Sequence, residues 1–467
     1  MNDQTTKLNT REKALDINLD SGRYGTFAEI GAGQEVVRWF FAVGGAAGTI
    51  AKSMSAYDMR VSDEIYGVAK RYVSRERLEA MLEQEHQLNR SRLDRERGET
   101  TAFFAFADTV AARSFRGDNE CHGWMGVRFQ ARPRDQDNQI VVHIRMLDTE
   151  ALRQQEALGI VGVNLVYAAC RQAHDPDEVV TSLLDGLSPE RVEIDVIDFS
   201  GPQFAHVDNR VFTLKLVQLG FTRAAMFTAD GRSVQPAEAL YKKAALVQRG
   251  SFRPPTLMNQ DMQRCALEAF ASDLRTSGSD IVPLLEISMA SMAAEGEVDL
   301  QDFLARAEML EAAGHIVLLS DYAEYHDLVA GIARLTSAEV GLVLRADTLR
   351  DLFDEARYAA LKGGILEAFG QLFETRVKLY VYPFRDAETG TLLTTRTLKL
   401  KPQLASLYDF LQVRDLLADL QGYNESCLNL TSRDALQRIR ASDPSWERML
   451  PEQVVELIKR RALFGYR

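Results

Sequence analysis

Cysteine is scarce in this chain and never paired by spacing: Cys121, Cys170, Cys265 and Cys427 lie far apart and form no CxxC. That pattern excludes a disulfide framework for 467 residues and a zinc site of ordinary spacing. Long apolar runs are missing as well. No stretch approaches the roughly 18 uninterrupted apolar residues that mark a membrane helix. The most apolar segment, Val36 to Ile50, is broken by Arg38 and by Gly44, Gly45 and Gly48, and reads as a buried helix with a tight turn. Residues 1–22 are polar, hold no apolar signal-like core, and read as a flexible N-terminal tail. Basic runs with interleaved aromatics are lacking, and 67 acidic side chains outnumber 55 basic ones for a net charge of -12. Such a surface repels phosphate backbones. Nucleic acid and membrane are therefore excluded as partners, and the reducing cytoplasm is the expected location. HxH, HExxH and GxSxG do not occur, which removes the motif support for metal and serine hydrolases. His143 and His315, in or at the start of expected strands, read as core residues, and His122 beside Cys121 lacks metal partners by spacing.

What is present is a folded, globular composition, with 46% hydrophobic and 26% charged residues, in a chain too long for one hydrophobic core. The texture changes along it. After the tail, residues 23–130 read as an N-terminal α/β domain with a glycine-rich segment and a long charged helix from Ser74 to about Arg97. That helix carries Leu78, Met81, Leu82 and Leu88 on one stripe, so it is expected to dock by one face. Residues 131–420 alternate regularly between Val/Ile/Leu-rich runs and amphipathic helices. The runs begin at IVVHIRM (140–146), VEIDVIDF (192–199), AAMFTAD (224–230) and ALVQRGS (245–251). They continue through IVPLLEIS (281–288), HIVLLS (315–320), VGLVLRA (340–346) and VKLYVYP (377–383). Near-continuous apolar strands joined by helical crossovers signal parallel pairing. Eight units in this length predict an α/β fold with a (β/α)8 barrel; the alternative is an open doubly wound parallel sheet. GVRFQ (126–130) also has the option of pairing with 140–146 as an antiparallel hairpin. Residues 421–467 read as a helical C-terminal extension packed on the body.

In a barrel the working face lies at the strands' C-terminal ends. Reading those positions gives Arg145, Asp198, Thr228, Arg249, Glu286, Ser320 with Asp321, Arg345 and Tyr382. Arginines converging on one mouth match carboxylate or phosphate oxygens. The turn after the fourth run adds Gly250, Ser251 and Arg253 at a helix start, stiffened by Pro254 and Pro255, an arrangement suited to phosphate. Arg145, Arg249, Gly250, Ser251, Arg253 and Arg345 are thus the expected substrate-binding residues; Glu286 and Asp321 are the expected proton-moving ones, with buried ion pairs that balance the arginines as the alternative. Lys52, among small residues and near Tyr57, is a third catalytic candidate. No cofactor can be named. GAG at 31–33 lacks the third glycine of a dinucleotide fingerprint, and GGAAGTIAKS has Ala51 where a P-loop requires glycine.

The decapeptide GSFRPPTLMN (250–259) resembles the GSFDPxHxGH signature of nicotinate-nucleotide adenylyltransferases, whose histidines bind nucleotide phosphates. Thr256 and Asn259 stand at those two histidine positions, and Arg253 replaces the acidic residue. Over its whole length, including FAEIGAGQEVVRWFF, GGAAGTIAKSMSAYDM, ILEAFGQLF and the LFGY ending, the chain resembles a bacterial family of uncharacterised proteins. Its members carry an adenylyltransferase label or a TonB-receptor-like one; the second implies an outer-membrane barrel, at odds with this composition. The resulting expectation is a cytoplasmic, homo-oligomeric enzyme acting on a small anionic metabolite that is phosphorylated, nucleotide-like or carboxylated. The alternatives are a non-catalytic self-assembling scaffold, suited by Gly/Ala-rich packing surfaces, and a metabolite sensor.

Overall fold

The computed structural model describes residues 7–113, 121–274, 278–293, 299–386 and 389–466. They form two compact units, Met1–Thr222 and Arg223–Arg467. Among the described residues no sheet closes on itself, so the expected barrel gives way to open sheets.

The first unit is built on six strands: β1 (Arg23–Ile30), β2 (Ile50–Met54), β3 (Ala102–Ala111), β4 (His122–Gln130), β5 (Asp137–Met146) and β6 (Val192–Ser200). Their order is β2-β1-β3-β4-β5-β6, with β1 parallel to β2 and β3 and every later pair antiparallel. The 126–130 and 140–146 segments do form the antiparallel hairpin, Gln130 opposite Asp137. The two runs expected to open a barrel, 140–146 and 192–199, therefore belong to this sheet. Their apolar continuity has a different cause from parallel pairing, because helices cover both faces. Helices Glu35–Val43 and Ala151–Tyr167 bury one face with Phe27, Phe106 and Ile144. On the other, helix Arg75–Arg97 applies Leu78, Met81 and Leu82 to Ala107, Trp124 and Val141. That helix docks by one face, as its spacing predicts, and the stripe continues through buried Glu85, His86 and Asn89. The start of the chain is not all tail: helix Thr10–Asn18 buries Ala14 and Ile17 in the core, while residues 1–6 lie outside the described set.

The second unit carries an eight-stranded sheet: β7 (Ala224–Phe227), β8 (Ser233–Val234), β9 (Ala244–Arg249), β10 (Ile281–Ser288), β11 (Ile316–Ser320), β12 (Val340–Arg345), β13 (Val377–Tyr382) and the late strand Leu417–Asp419. A separate two-stranded ribbon, β14 (Phe384–Arg385) and β15 (Leu392–Leu393), precedes that late strand, which is β16. The order is β16-β13-β12-β9-β10-β11-β7-β8. All neighbours from β11 through β16 run parallel; β7 lies antiparallel to β11, and β8, antiparallel to β7, forms the other edge. After this edge hairpin the chain enters the middle at β9, builds outward through β10 and β11, then returns to the other side of β9 for β12, β13 and β16. This is the doubly wound open sheet, with its reversal point between β9 and β12.

Strand periodicity explains the burial on both sides. Ala245, Val247, Leu342, Leu344 and Leu379 enter one apolar cluster. Their neighbours Ala244, Leu246, Val343 and Tyr380 enter another, with Met258, Met262 and Phe270 of helix Leu257–Asp273. The C-terminal extension is helical, as expected. Helices Ser432–Arg440 and Glu452–Arg461 bury Ile439, Trp446 and Leu457 together with Met309 of helix Leu300–Ala312. No helix among the described residues is long and apolar enough to cross a membrane.

Candidate functional site

A cavity of about 660 Å³ opens at the C-terminal ends of β9 and β12, where the strand order reverses. Crevices at that point collect ligands in doubly wound folds, because two successive crossovers leave in opposite directions and cannot fill it. One wall is the turn Gly250–Arg253 that follows β9; another is Leu344, Arg345 and Thr348 where β12 enters its helix. The third wall comes from Thr431, Ser432, Arg433 and Leu436 of the C-terminal extension.

Each part of the turn is held from behind. Arg249 Nε and Nη2 donate to the Glu286 carboxylate at 2.6 and 2.9 Å, and its remaining N–H groups donate to the carbonyls of Ala323 (2.9 Å) and Tyr322 (2.7 Å). The guanidinium also stacks 4.9 Å from the Tyr325 ring. Arg253 pairs with Asp302 at 2.5 Å, and buried Arg306 grips the same carboxylate while donating to the Ser251 carbonyl at 3.1 Å. Phe252, buried and in the left-handed region at φ 47°, presses its ring against Gly250, where an added Cβ would come within 2.9 Å of it. Arg345 folds onto Asp347, with Nε donating at 2.9 Å, and its guanidinium lies 4.5 Å from the Phe384 ring.

Arg433 is different. It lines the cavity from the second position of helix Ser432–Arg440 and has no ion-pair or hydrogen-bonding partner for its side chain among the described residues. Thr431 caps that helix by accepting the Asp434 N–H at 3.1 Å, so the first-turn amides are left at the cavity's edge. A helix start carries partial positive charge. With the other three arginines already matched to carboxylates, Arg433 and these amides supply the cavity's uncompensated positive potential.

The sequence-derived candidates separate into three groups. Arg249, Gly250, Ser251, Arg253 and Arg345 come together around the cavity. Glu286 is adjacent but fully buried, and both its oxygens are engaged: Oε2 by Arg249, Oε1 by Arg249 and by the Ser320 hydroxyl at 2.5 Å. A carboxylate so engaged orients Arg249, the ion-pair role that its charge also allowed. Asp321 does not line the cavity; it pairs with Arg223 at 3.0 Å near the sheet edge. Arg145 and Lys52 belong to the first unit. Arg145 sits on β5 opposite Glu193 of β6, at 4.0 Å, and Lys52 on β2 pairs at 2.5 Å with buried Glu85, which also takes the Tyr66 hydroxyl at 2.8 Å. Arg145 was assigned to one mouth on the premise of a single barrel, and the two-sheet architecture removes that premise.

The two positions that correspond to the signature histidines are also settled locally. The Asn259 side-chain oxygen accepts from both the N–H and the hydroxyl of Thr256, each at 2.9 Å, closing the start of helix Leu257–Asp273. Asn259 still lines the cavity. Sequence reasoning missed Thr431, Ser432 and Arg433. The signal was there, since TSRD at 431–434 has a hydroxyl cap three residues before an acidic one, which marks a helix start.

No protein-family model and no curated protein matches the chain. Among solved structures it is similar to the competence/damage-inducible protein CihA from Agrobacterium tumefaciens, at 18% identity over 35% of this chain and 98% of that one, TM-score 0.25. It is similar also to a CinA-superfamily protein from Enterobacter cloacae, at 13% identity over 35% and 94%, TM-score 0.27. A third is the Plasmodium falciparum nicotinic acid mononucleotide adenylyltransferase, at 12% identity over 48% and 98%, TM-score 0.30. These likenesses cover a third to a half of the chain.

Proposed function

We propose that the second unit is the binding domain of a small-metabolite enzyme, holding a phosphorylated, nucleotide-like ligand or a related carboxylate at the β9/β12 crevice. The observation that carries this reading is Arg433: an unpaired guanidinium on a helix start, lining a cavity whose other arginines are already neutralised. Anionic oxygens would sit between the 250–253 turn and residues 431–433, where backbone amides and a free fork of donors are both at hand. Arg253 and Arg345, each paired with its own carboxylate, Asp302 and Asp347, shape the crevice around that ligand. Phosphate-centred group transfer is the reaction class that such preset cations favour. The resemblance of 250–259 to the adenylyltransferase signature supports a nucleotide. Thr256 and Asn259, tied to each other, leave the arginines to hold the phosphates.

The test is titration calorimetry of the full chain against nucleoside mono- and triphosphates, sugar phosphates and dicarboxylates, repeated with Arg433→Gln. One class should bind, and the variant should lose about tenfold or more in affinity, the value of a charge-assisted hydrogen bond. Absence of binding across all of these compounds, or equal binding by the variant, overturns the reading.

A further inference from the structure

The first unit contains a chain of ionisable side chains that the β9/β12 crevice does not involve. His143 on β5 is fully buried, and its Nδ1 lies 2.5 Å from a carboxylate oxygen of Asp195 on β6. Its other ring nitrogen, Nε2, lies 3.0 Å from Nδ1 of His122 on β4. The backbone is built for this contact. Pairing between β5 and β6 shifts at His143/Ile144: Ile144 faces Ile194 and His143 faces Val196, which leaves Asp195 as the extra residue of a bulge. Bulges re-aim a side chain in this way, and they concentrate near working sites.

The proton positions follow from the partners. A carboxylate only accepts, so His143 carries a hydrogen on Nδ1; in its neutral form it then offers a lone pair at Nε2. His122 must then donate from Nδ1, which leaves its own Nε2 as an unprotonated lone pair at the half-buried end of the chain. The groups facing that imidazole are cationic as well as anionic. Arg145 stands directly across the ladder from His122, and Arg71 precedes helix Arg75–Arg97. Burial pushes the His122 imidazole down to about 4; the Arg145 and Arg71 cations push the same way, and Asp195 opposes them. The resting ring is therefore neutral. Arg145 is only loosely engaged by Glu193, at 4.0 Å, and Glu193 accepts the Thr222 hydroxyl at 2.7 Å.

We propose that Asp195, His143 and His122 form a proton relay ending at His122 Nε2, and that this nitrogen with Arg145 makes a second site for a small oxyanion bearing an acidic hydroxyl. The step balances simply. The ligand O–H bond breaks, its proton bonds to His122 Nε2, and the electron pair stays on the ligand oxygen beside Arg145. The resulting imidazolium is stabilised through His122 Nδ1–H to His143 and His143 Nδ1–H to Asp195. His122 is the catalytic residue in this arrangement; His143 and Asp195 are positioning residues. An arriving anion also offsets the cations that hold His122 neutral, so binding and protonation reinforce one another.

Inorganic phosphate is the probe, and the full-length protein labelled at histidine carbons is the sample. His122→Gln identifies the His122 resonance, whose protonation midpoint is followed by NMR with and without phosphate. Phosphate should raise the midpoint by about one pH unit or more, tenfold in proton affinity, and Arg145→Gln should remove that rise. Asp195→Asn should lower the midpoint in the absence of phosphate, a change that mere loss of packing would not direct. Carbethoxylation of His122, which requires the unprotonated nitrogen, should slow severalfold when phosphate is present, and this measurement needs no variant. A midpoint and a carbethoxylation rate both indifferent to phosphate overturn the proposal. A phosphate response unchanged in Arg145→Gln also overturns it. Since the site lies in the first unit, this outcome is independent of Arg433 and its ligand.

Discussion

Glu286→Ala is the sharpest perturbation of the second unit's architecture. Its side chain is wholly buried, and it holds Arg249 by two hydrogen bonds at 2.6 and 2.9 Å. Removing it leaves a guanidinium that is only 12% exposed facing the Tyr322 and Ala323 carbonyls, without the carboxylate that binds it directly. Breaking a buried pair from one side costs about 3–5 kcal/mol, because the partner's charge stays buried. The Ser320 hydroxyl also loses its acceptor, worth about 1 kcal/mol more. Removing both charges should cost far less, so Arg249→Met with Glu286→Leu should recover most of the loss. Urea unfolding with hydrogen exchange read on peptides spanning β9 and β10 measures Glu286→Ala and the four corners of the cycle: wild type, Arg249→Met, Glu286→Leu and the double variant. The coupling term of the double-mutant cycle should exceed about 2 kcal/mol. Additive losses, or a single-variant cost below about 1 kcal/mol, would refute the view that Glu286 serves Arg249.

Three further outcomes follow from the same geometry. Gly250→Ala sets a Cβ within 2.9 Å of the buried Phe252 ring, so the turn must shift. Affinity for the crevice ligand should fall while thermal stability of the first unit is unchanged, and intact affinity would show that the turn makes no contact. Gly162→Val drives a side chain into Val36, 2.3 Å from where its Cβ would stand, and should destabilise the first unit by about 1–3 kcal/mol in urea. Glu29, wholly buried on β1, accepts the Val36 and Val37 amides at 2.9 Å. Burial nevertheless pushes its carboxyl up to about 7, aided by Glu35, and burial pushes its neighbour Asp108 the same way. The folded state then holds protons that the unfolded chain releases above its ordinary value near 4.5. Stability of the first unit should fall as pH rises from there to about 7, then level off, with a slope of about 1.4 kcal/mol per pH unit for each proton involved. Glu29→Gln should flatten that slope, and an unaltered slope would contradict the assignment.

Parallel strands covered on both faces leave a plain trace in sequence, and β9 through β13 were legible for that reason. The same trace misled at 140–146 and 192–199, because an antiparallel strand under helices on both sides is also an unbroken apolar run. Nothing in residue type separates the two cases; the polar turn between 130 and 137 was the clue, and it marks the hairpin. The site was half legible. The 249–253 turn and Arg345 announce themselves as polar groups ending apolar strands. Arg433 does not, because it sits on a helix start far along the chain, in a segment whose apolar stripe reads only as packing. Glu286 was visible as a charge that either balances an arginine or moves protons; which partners it engages, Arg249 and Ser320, depends on the order β9-β10-β11. His122 and His143 are a hydrogen-bonded pair through strand register, which spacing along the chain does not encode.

The division of the chain at a single link, between Thr222 and Arg223, has a bearing on how it is made. Every residue of the first unit's core precedes that link, and every residue of the second unit's clusters follows it. As the polypeptide leaves the ribosome, the six-stranded sheet is complete in sequence before β9 emerges, and N-terminal domains fold first under such conditions. The parallel sheet has the harder schedule. Its central strand appears early, waits for β12 on one flank, and gains the Arg433 wall only when the last helices are synthesised. Premature termination between residues 223 and 431 would therefore release a first unit complete in sequence joined to a second with its crevice unfinished.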